Sequence, residues 1–284
     1  MNKYNKLRFV LLYSLLIFSL ILSTNGCKNS KTFNEEDIYV ENYVYFEKVT
    51  KQHLNGMVIR KFNTGEVRSK WPYKNGLVDG KTINYFKSGE IQAKGHYENG
   101  KKNGKQIIYH NNGKEYEVSN YEEGKLNGPY IIYLPSGSKK EEAQYVNGTR
   151  KSSTAYSYYD NGVLRRENHE VNEQLAEKKT YYENGNLKTK FINNYTDREQ
   201  IKRNYNLQGV LSRELKVVDN KLNVRKQYSF EGNLESETYC TDSEFVIRKK
   251  YSNDGKLISE DKIIPKKSIY TQHGYSCNKN IQLY

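Results

Sequence analysis

Tyr85-Phe-Lys-Ser-Gly89-Glu-Ile-Gln-Ala-Lys-Gly95-His-Tyr97-Glu-Asn-Gly100-Lys-Lys-Asn-Gly104 is one period of an internal repeat running from about residue 55 to about residue 260. Repeats decide an architecture before any single element does. With Gly89 as reference, a glycine recurs at Gly65, Gly113, Gly137, Gly162, Gly185, Gly209, Gly232 and Gly255, in steps of 23 to 25 residues. Four residues before it stands a tyrosine in eight of the nine repeats: Tyr85, Tyr109, Tyr133, Tyr158, Tyr181, Tyr205, Tyr228 and Tyr251. Two residues after it stands an aliphatic residue in seven of nine, from Val67 and Ile91 to Leu257; Glu115 and Lys139 are the exceptions. Three positions held in phase this long are a structural signal.

A second ladder shares the period. Tyr73, Tyr97, Tyr121 and Tyr145 each precede a glycine by three residues (Gly76, Gly100, Gly124, Gly148), and further glycines follow at Gly80, Gly104 and Gly128. This ladder fades after residue 150, where Glu173, Thr196, Asn220 and Ser243 stand near its glycine position. Within a repeat, Lys81–Phe86 and Glu90–Tyr97 alternate with period two, with Ile91, Ala93, Gly95 and Tyr97 on one parity and polar residues on the other. Such alternation predicts strands with one packed and one wet face. Lys-Ser-Gly and Glu-Asn-Gly supply turn chemistry, since glycine reaches positive φ without strain. One repeat is therefore two strands and two turns. The tyrosines are expected to stack, each on its neighbour one repeat away, as cross-strand aromatic pairs do.

The pattern resembles the MORN repeat, in its bacterial variant of about 24 residues. Tyr97-Glu-Asn-Gly100-Lys-Lys-Asn-Gly104 and Tyr121-Glu-Glu-Gly124-Lys-Leu-Asn-Gly128 carry the likeness. It covers residues 55–150 well and 151–260 in degenerate form. The resemblance implies an all-β fold, an elongated single sheet of stacked antiparallel hairpins used for binding or scaffolding. Some bacterial members are labelled antitoxins, which makes toxin neutralisation an alternative.

The chain begins with Lys3, Lys6 and Arg8, then a 14-residue apolar run, Phe9–Leu22, interrupted by Ser14 and Ser19. A basic start and an apolar run of this length read as a secretory signal peptide. The run is short for a bilayer span of about 20 residues. Gly26-Cys27 at its end resembles the lipobox of bacterial lipoproteins, although Thr24 stands where an aliphatic residue is usual. The resemblance implies cleavage before Cys27 and its lipidation, hence a membrane partner and a cell-envelope address facing the periplasm or exterior. Multiple acyl chains on one cysteine make such attachment stable. The expected organisation is a signal peptide helix within 1–26, a flexible tether over 27–41, the repeat array over 42–262, and a tail or cap over 263–284. Cys240 and Cys277 then remain as a candidate disulfide, permitted by an oxidising compartment.

Of 284 residues, 46 are Lys or Arg and 33 Asp or Glu, a formal charge of +13; losing residues 1–26 removes three basic residues and no acid, leaving +10. Hydrophobic content is only 36%, while 27 residues are tyrosine. That suits a thin sheet whose repeats pack on their neighbours better than a deep globular core. Nine repeats of two strands, at about 4.8 Å each, predict one array roughly 85 Å long. The positive charge is compatible with anionic lipid, polyanionic glycan or acidic protein, yet lysines alternate with glutamates, as in Lys139-Lys140-Glu141-Glu142, which reads as a solvated face. No recognition-helix pattern points to nucleic acid.

No phosphate loop, dinucleotide fingerprint, Gly-x-Ser-x-Gly or His-Glu-x-x-His occurs. His110 takes the position of Phe62, Phe86 and Leu134 in sister repeats, a packing position, and none of His53, His96, His169 and His273 forms a metal-ligand spacing. The sequence therefore names no catalytic residue, metal or cofactor, and predicts a protein that is not an enzyme. The expected partner is a protein, with cell-wall glycan as the alternative. The candidate contact surface is Trp71 and the second tyrosine row, Tyr73, Tyr97, Tyr121 and Tyr145.

Overall fold

The computed structural model describes residues 31–241 and 246–263. The signal peptide helix, Cys27, Ser243, His273, Cys277 and the C-terminal tail lie outside the described residues. Among the described residues every long element is a β-strand, and the one helical piece is a single 3-10 turn, Glu35–Asp37. The chain divides into two compact units, residues 1–91 with 96–101, and residues 92–95 with 102 onwards.

In the second unit the strands follow one another as an antiparallel meander, from Gly104–Tyr109 through Glu115–Glu122 and onwards to Leu257–Ile263, each pairing with the next. All nine reference glycines close the same turn. The glycine N–H donates to the carbonyl three residues earlier at 2.8–3.0 Å, and its φ lies between +80° and +100°. The residue after it accepts from the N–H at the turn's start, as Lys114 O does from His110 N at 2.8 Å. A three-residue turn ending in a left-handed glycine forms a bulge, and the register slips again just before the tyrosine, as between Ser157 and Tyr158. The slip explains why tyrosine and leucine share a phase. Tyr158 faces Leu164, Tyr181 faces Leu187, Tyr205 faces Leu211, Tyr228 faces Leu234 and Tyr251 faces Leu257 directly across the hairpin. The two periodic positions are one cross-strand pair.

The second ladder marks two-residue turns with positive φ at both central positions, as at Asn75-Gly76, Asn99-Gly100 and Asn147-Gly148. This geometry matches the right-handed strand twist. Where the glycines fade, the turn survives: Asn172-Glu173 has φ of 48° and 64°, and Asp219-Asn220 has 50° and 60°. At Thr196 a four-residue turn, Tyr195 to Arg198, replaces it, held by Asn194 Oδ1 accepting from Thr196 N at 3.1 Å. Successive turns are tied across the repeat: Gly124 N donates to Lys102 O and Gly148 N to Leu126 O, at 2.9 and 2.8 Å.

The expected tether does not extend over residues 31–41. Thr32–Asn34 is a strand that pairs in parallel with Gly56–Lys61, placing Phe33 beside Val58. Ile38–Glu41 and Val44–Glu47 form a separate two-stranded hairpin. Phe33, Ile38, Leu54, Val58, Tyr73 and Val78 make one buried cluster, against which Tyr45, Trp71 and Tyr97 pack. Burying these rings and aliphatic chains more than offsets the cost of ordering a short polar strand. In the second unit a smaller cluster holds Phe191, Leu215, Val217 and Leu222. Most other strand residues are half-buried, so the expected contrast of one packed and one wet face is weak.

Candidate functional site

Register assigns each strand residue of the second unit to one of two faces, because directly paired residues point the same way and neighbours in sequence point oppositely. The first tyrosine row lies on one face, called here the tyrosine face. Its rings do not stack on one another as expected; among the described residues the ring pairs fall elsewhere. Lys94 Nζ instead lies over the Tyr109 ring at 5.4 Å. Tyr158 donates its hydroxyl to Lys139 O at 2.7 Å, and Tyr251 donates to Glu237 Oε1 at 2.6 Å. Burial, and behind it the charge of Glu167, raises Tyr158 and Tyr181 above the ordinary phenol range.

The same face carries a transect of charge. Tyr156, Glu167, Lys179, Lys190, Arg203, Glu214, Lys226, Glu237, Lys249 and Glu260 are successive cross-strand partners. Lys179 Nζ lies 3.2 Å from Glu167 and 2.6 Å from Glu177, and Lys190 lies 3.0 Å from Glu177. Arg203 meets Glu214 at 2.6 Å. Burial pushes Glu177 up, but Lys179 and Lys190 together hold it below the ordinary carboxylate range. Lys139 and Tyr156, both bonded to Glu142, hold that carboxyl down as well. The tyrosine face is thus a closed lattice of charges already answered by their neighbours.

The opposite face differs. Its central transect reads Asn168, Lys178, Phe191, Lys202, Leu215, Arg225, Thr238, Arg248 and Asp261. Phe191 and Leu215 are buried, while Arg248 is exposed and Lys178, Lys202 and Arg225 are half-buried. A parallel transect on this face adds Arg166, Arg213 and Lys250 among Thr180, Thr189, Asn204, Gln227 and Ser236. The four central basic residues each stand seven positions before a reference glycine, a periodic signal present in the sequence and passed over there.

The sequence-expected contact residues are divided. Tyr73 is 4% exposed and packs on Tyr45 at 4.8 Å, so it belongs to the core and not to a contact surface. Trp71 is half-buried, donates from Nε1 to Asn84 Oδ1 at 2.8 Å, and stacks near Tyr97 at 5.8 Å. In the second unit, Tyr121 lies under Lys102 Nζ at 4.7 Å, and Tyr145 meets Tyr130 edge-on at 5.7 Å. Cys240 is disulfide-bonded, and neither other cysteine is among the described residues.

His110 Nε2 lies 3.1 Å from Tyr133 O. A carbonyl only accepts, so Nε2 carries the proton there. Tyr159 and Tyr182, in the same position of later repeats, donate likewise to Tyr181 O and Tyr205 O. His110 therefore does a tyrosine's structural work. His169 bonds Thr154 at 2.9 Å, and His53 packs on Phe46. Among the described residues no group of three His, Cys, Asp or Glu side chains is placed to hold a metal ion. A recess lined by Asn193, Tyr195, Arg198, Gln200, Asp219 and Asn220 is flanked by the Arg198–Asp219 ion pair at 3.3 Å.

The model of the MORN repeat variant matches residues 78–99, 126–147 and 175–191. The chain carries MORN repeats. The matched segments are phased with the turns described above, and the third falls in the degenerate half. No curated protein matches the chain. Among solved structures, a GtfA/B complex bound to UDP and GlcNAc is similar at 13% identity, over 48% of this chain and 24% of that one, with a TM-score of 0.18. A TcdB2–TccC3 complex is similar at 11% identity, over 81% and 18%, with a TM-score of 0.13. A protein of unknown function from Bacteroides fragilis is similar at 14% identity, over 55% and 95%, with a TM-score of 0.13. Likeness this slight bears on neither the function nor the chemistry of the MORN repeats here.

Proposed function

We propose that this MORN-repeat protein is a non-catalytic scaffold, lipid-anchored outside the cytoplasm through Cys27, whose repeats bind another protein. The observation that supports binding is the persistence of the repeat geometry beyond the persistence of its sequence. Asn172-Glu173 and Asp219-Asn220 keep the two-residue turn without glycine, at positions where side chains are strained. A chain that holds one strand spacing through such substitutions offers a surface of fixed period, on which weak contacts add by multivalency. The observation that supports the address is the Gly26-Cys27 step after Phe9–Leu22.

Crosslinking in the native cells, followed by mass spectrometry of the protein and of what it captures, tests both. The expected result is an acylated Cys27 at the N-terminus and one dominant protein partner. An unmodified N-terminus in the cytoplasm overturns the address. An acylated Cys27 that captures only cell-wall fragments overturns the protein-binding reading in favour of a glycan-binding module.

A further inference from the structure

Along one end of the second unit, strands are joined by two-residue turns at 123–124, 147–148, 172–173 and 219–220. Between Leu187–Asn194 and Glu199–Tyr205 the turn has four residues, Tyr195-Thr-Asp-Arg198. Strands that keep their spacing do not need this insertion. Asn194 fixes its path: Oδ1 accepts from Thr196 N at 3.1 Å and from Asp197 N at 3.4 Å. Tyr195 is carried back toward the sheet, where its hydroxyl donates to Leu175 O at 3.1 Å while the residue stays 48% exposed. Arg198 reaches the next turn and meets Asp219 at 3.3 Å. The longer turn thus walls a recess of about 480 Å³, within the range of small-molecule sites. Its other lining residues are Asn193, Gln200 and Asn220.

Gln200 is the informative one. It stands in register between Asn193 and Val217, beside the buried cluster of Phe191, Leu215, Val217 and Leu222. Its Oε1 is buried and has no hydrogen-bond partner. An unmet buried amide is costly, and leucine would fill such a position more stably. Among the described residues the side chains of Asn193 and Asn220 also enter no hydrogen bond. The folding of the sheet does not account for three unbonded amides around one recess.

Their chemistry sets the ligand. An amide offers donors and an acceptor together, so its partner must accept and donate at adjacent atoms. Charge is not called for, since Arg198 and Asp219 answer each other. Tyr195 presents a ring whose polar end is already bonded, a surface for apolar C–H groups. A neutral molecule dense in hydroxyls and apolar on one side is a sugar ring. We infer that this recess is a binding site for a neutral saccharide. The site goes beyond the protein-binding scaffold, is compatible with it, and does not depend on the lipid anchor. A peptide added as a strand needs a free sheet edge. Leu187–Asn194, Glu199–Tyr205, Leu211–Val218 and Lys221–Tyr228 are each paired on both sides. A phosphate or carboxylate needs an uncommitted cation, and Arg198 is held by Asp219.

The test uses the purified full-length chain and saturation-transfer NMR, which detects weak binding. The probes are the neutral trisaccharides of the cello, malto, manno and chito series; a mixture of short unmodified peptides is the comparator. The parent is expected to bind at least one trisaccharide. Gln200→Leu is expected to weaken that binding about tenfold, the loss of one well-placed hydrogen bond. Its melting temperature is expected at or above the parent's, because the substitution removes an unmet amide. Tyr195→Ala is expected to bind about fivefold less, while Tyr195→Phe, which keeps the ring, binds as the parent does. Phe230→Ser, at an exposed aromatic residue outside the recess, is expected to change nothing. No trisaccharide binding by the parent overturns the inference and leaves the recess to water. Binding that survives both Gln200→Leu and Tyr195→Ala overturns it by placing the sugar elsewhere. A clear fall in melting temperature for Gln200→Leu overturns it too, since the amide would then serve the fold. Peptide binding in place of sugar, lost in the same two variants, overturns the saccharide and assigns the recess to peptide.

Discussion

At the scale of single residues, the turns show what glycine contributes. Glu173 holds φ of 64° at a position that Gly76, Gly100, Gly124 and Gly148 occupy in earlier repeats. A left-handed residue with a Cβ costs roughly 1–2 kcal/mol, part of which glycine's larger chain entropy takes back. Glu173→Gly is therefore expected to stabilise by about 0.5–1 kcal/mol, read as a higher midpoint in urea with an unchanged slope. Asn220→Gly is expected to gain less, because asparagine tolerates this conformation. The first tyrosine–leucine phase was legible in the sequence because both residues serve one bulged pair. The later turns were not, because their glycines are gone while the flanking strands still impose the twist. Lys179 is a second residue-scale case. It answers two carboxylates, and Lys179→Met takes the lysine from half-buried Glu167 and leaves Glu177 with Lys190 alone. A loss of about 1–2 kcal/mol is expected, measured as the drop in urea midpoint.

At the scale of elements, the segment before the repeats is the instructive one. Residues 28–41 have no periodicity and few apolar groups, so they read as a tether. Thr32–Asn34 is nevertheless a strand, and only Phe33 of its three residues is buried. A three-residue strand carries no period to detect; its signal is the unpaired edge of Gly56–Lys61, which is visible only once the sheet exists. Leu54 joins the Ile38–Glu47 hairpin to the first repeats: it is fully buried, its N–H donates to Tyr45 O, and its carbonyl accepts from Gly76 N. Gly76 in turn approaches the hairpin so closely that an added Cβ would sit 2.6 Å from Tyr45 O. Leu54→Ala is expected to cost about 3 kcal/mol through lost transfer energy and the cavity left behind. Phe33→Ala is expected to cost a similar amount. If Phe33→Ala leaves the melting curve unmoved, the segment is a tether after all.

At the scale of the molecule, the second unit's sheet sorts its chemistry by face, and the sorting sets how the protein responds to pH. Glu142 and Glu177 ionise below their ordinary value of 4.5 when folded. A carboxyl with a depressed folded value stabilises above its unfolded value and loses that contribution as pH falls toward the folded one. Melting temperature is therefore expected to hold across neutral pH and to fall below about pH 4.5. The tyrosines act at the other end. Burial, then glutamate charge, raises Tyr130, Tyr158, Tyr181 and Tyr228 above 10.0 in the folded chain, and burial with a bond to Glu142 does the same for Tyr156. A group whose folded value is raised gives stability that is whole below its unfolded value and is lost as pH climbs past it. Above pH 10 the unfolded chain releases these phenolic protons and the folded sheet does not, so unfolding is drawn onward by every tyrosine it frees. The expected outcome is a phenolate absorbance that lags behind free tyrosine and then rises in one steep step with loss of the β-sheet circular dichroism. A smooth titration centred near 10, complete while the sheet signal is intact, would show that the row is solvated and that the lattice on the tyrosine face is not closed.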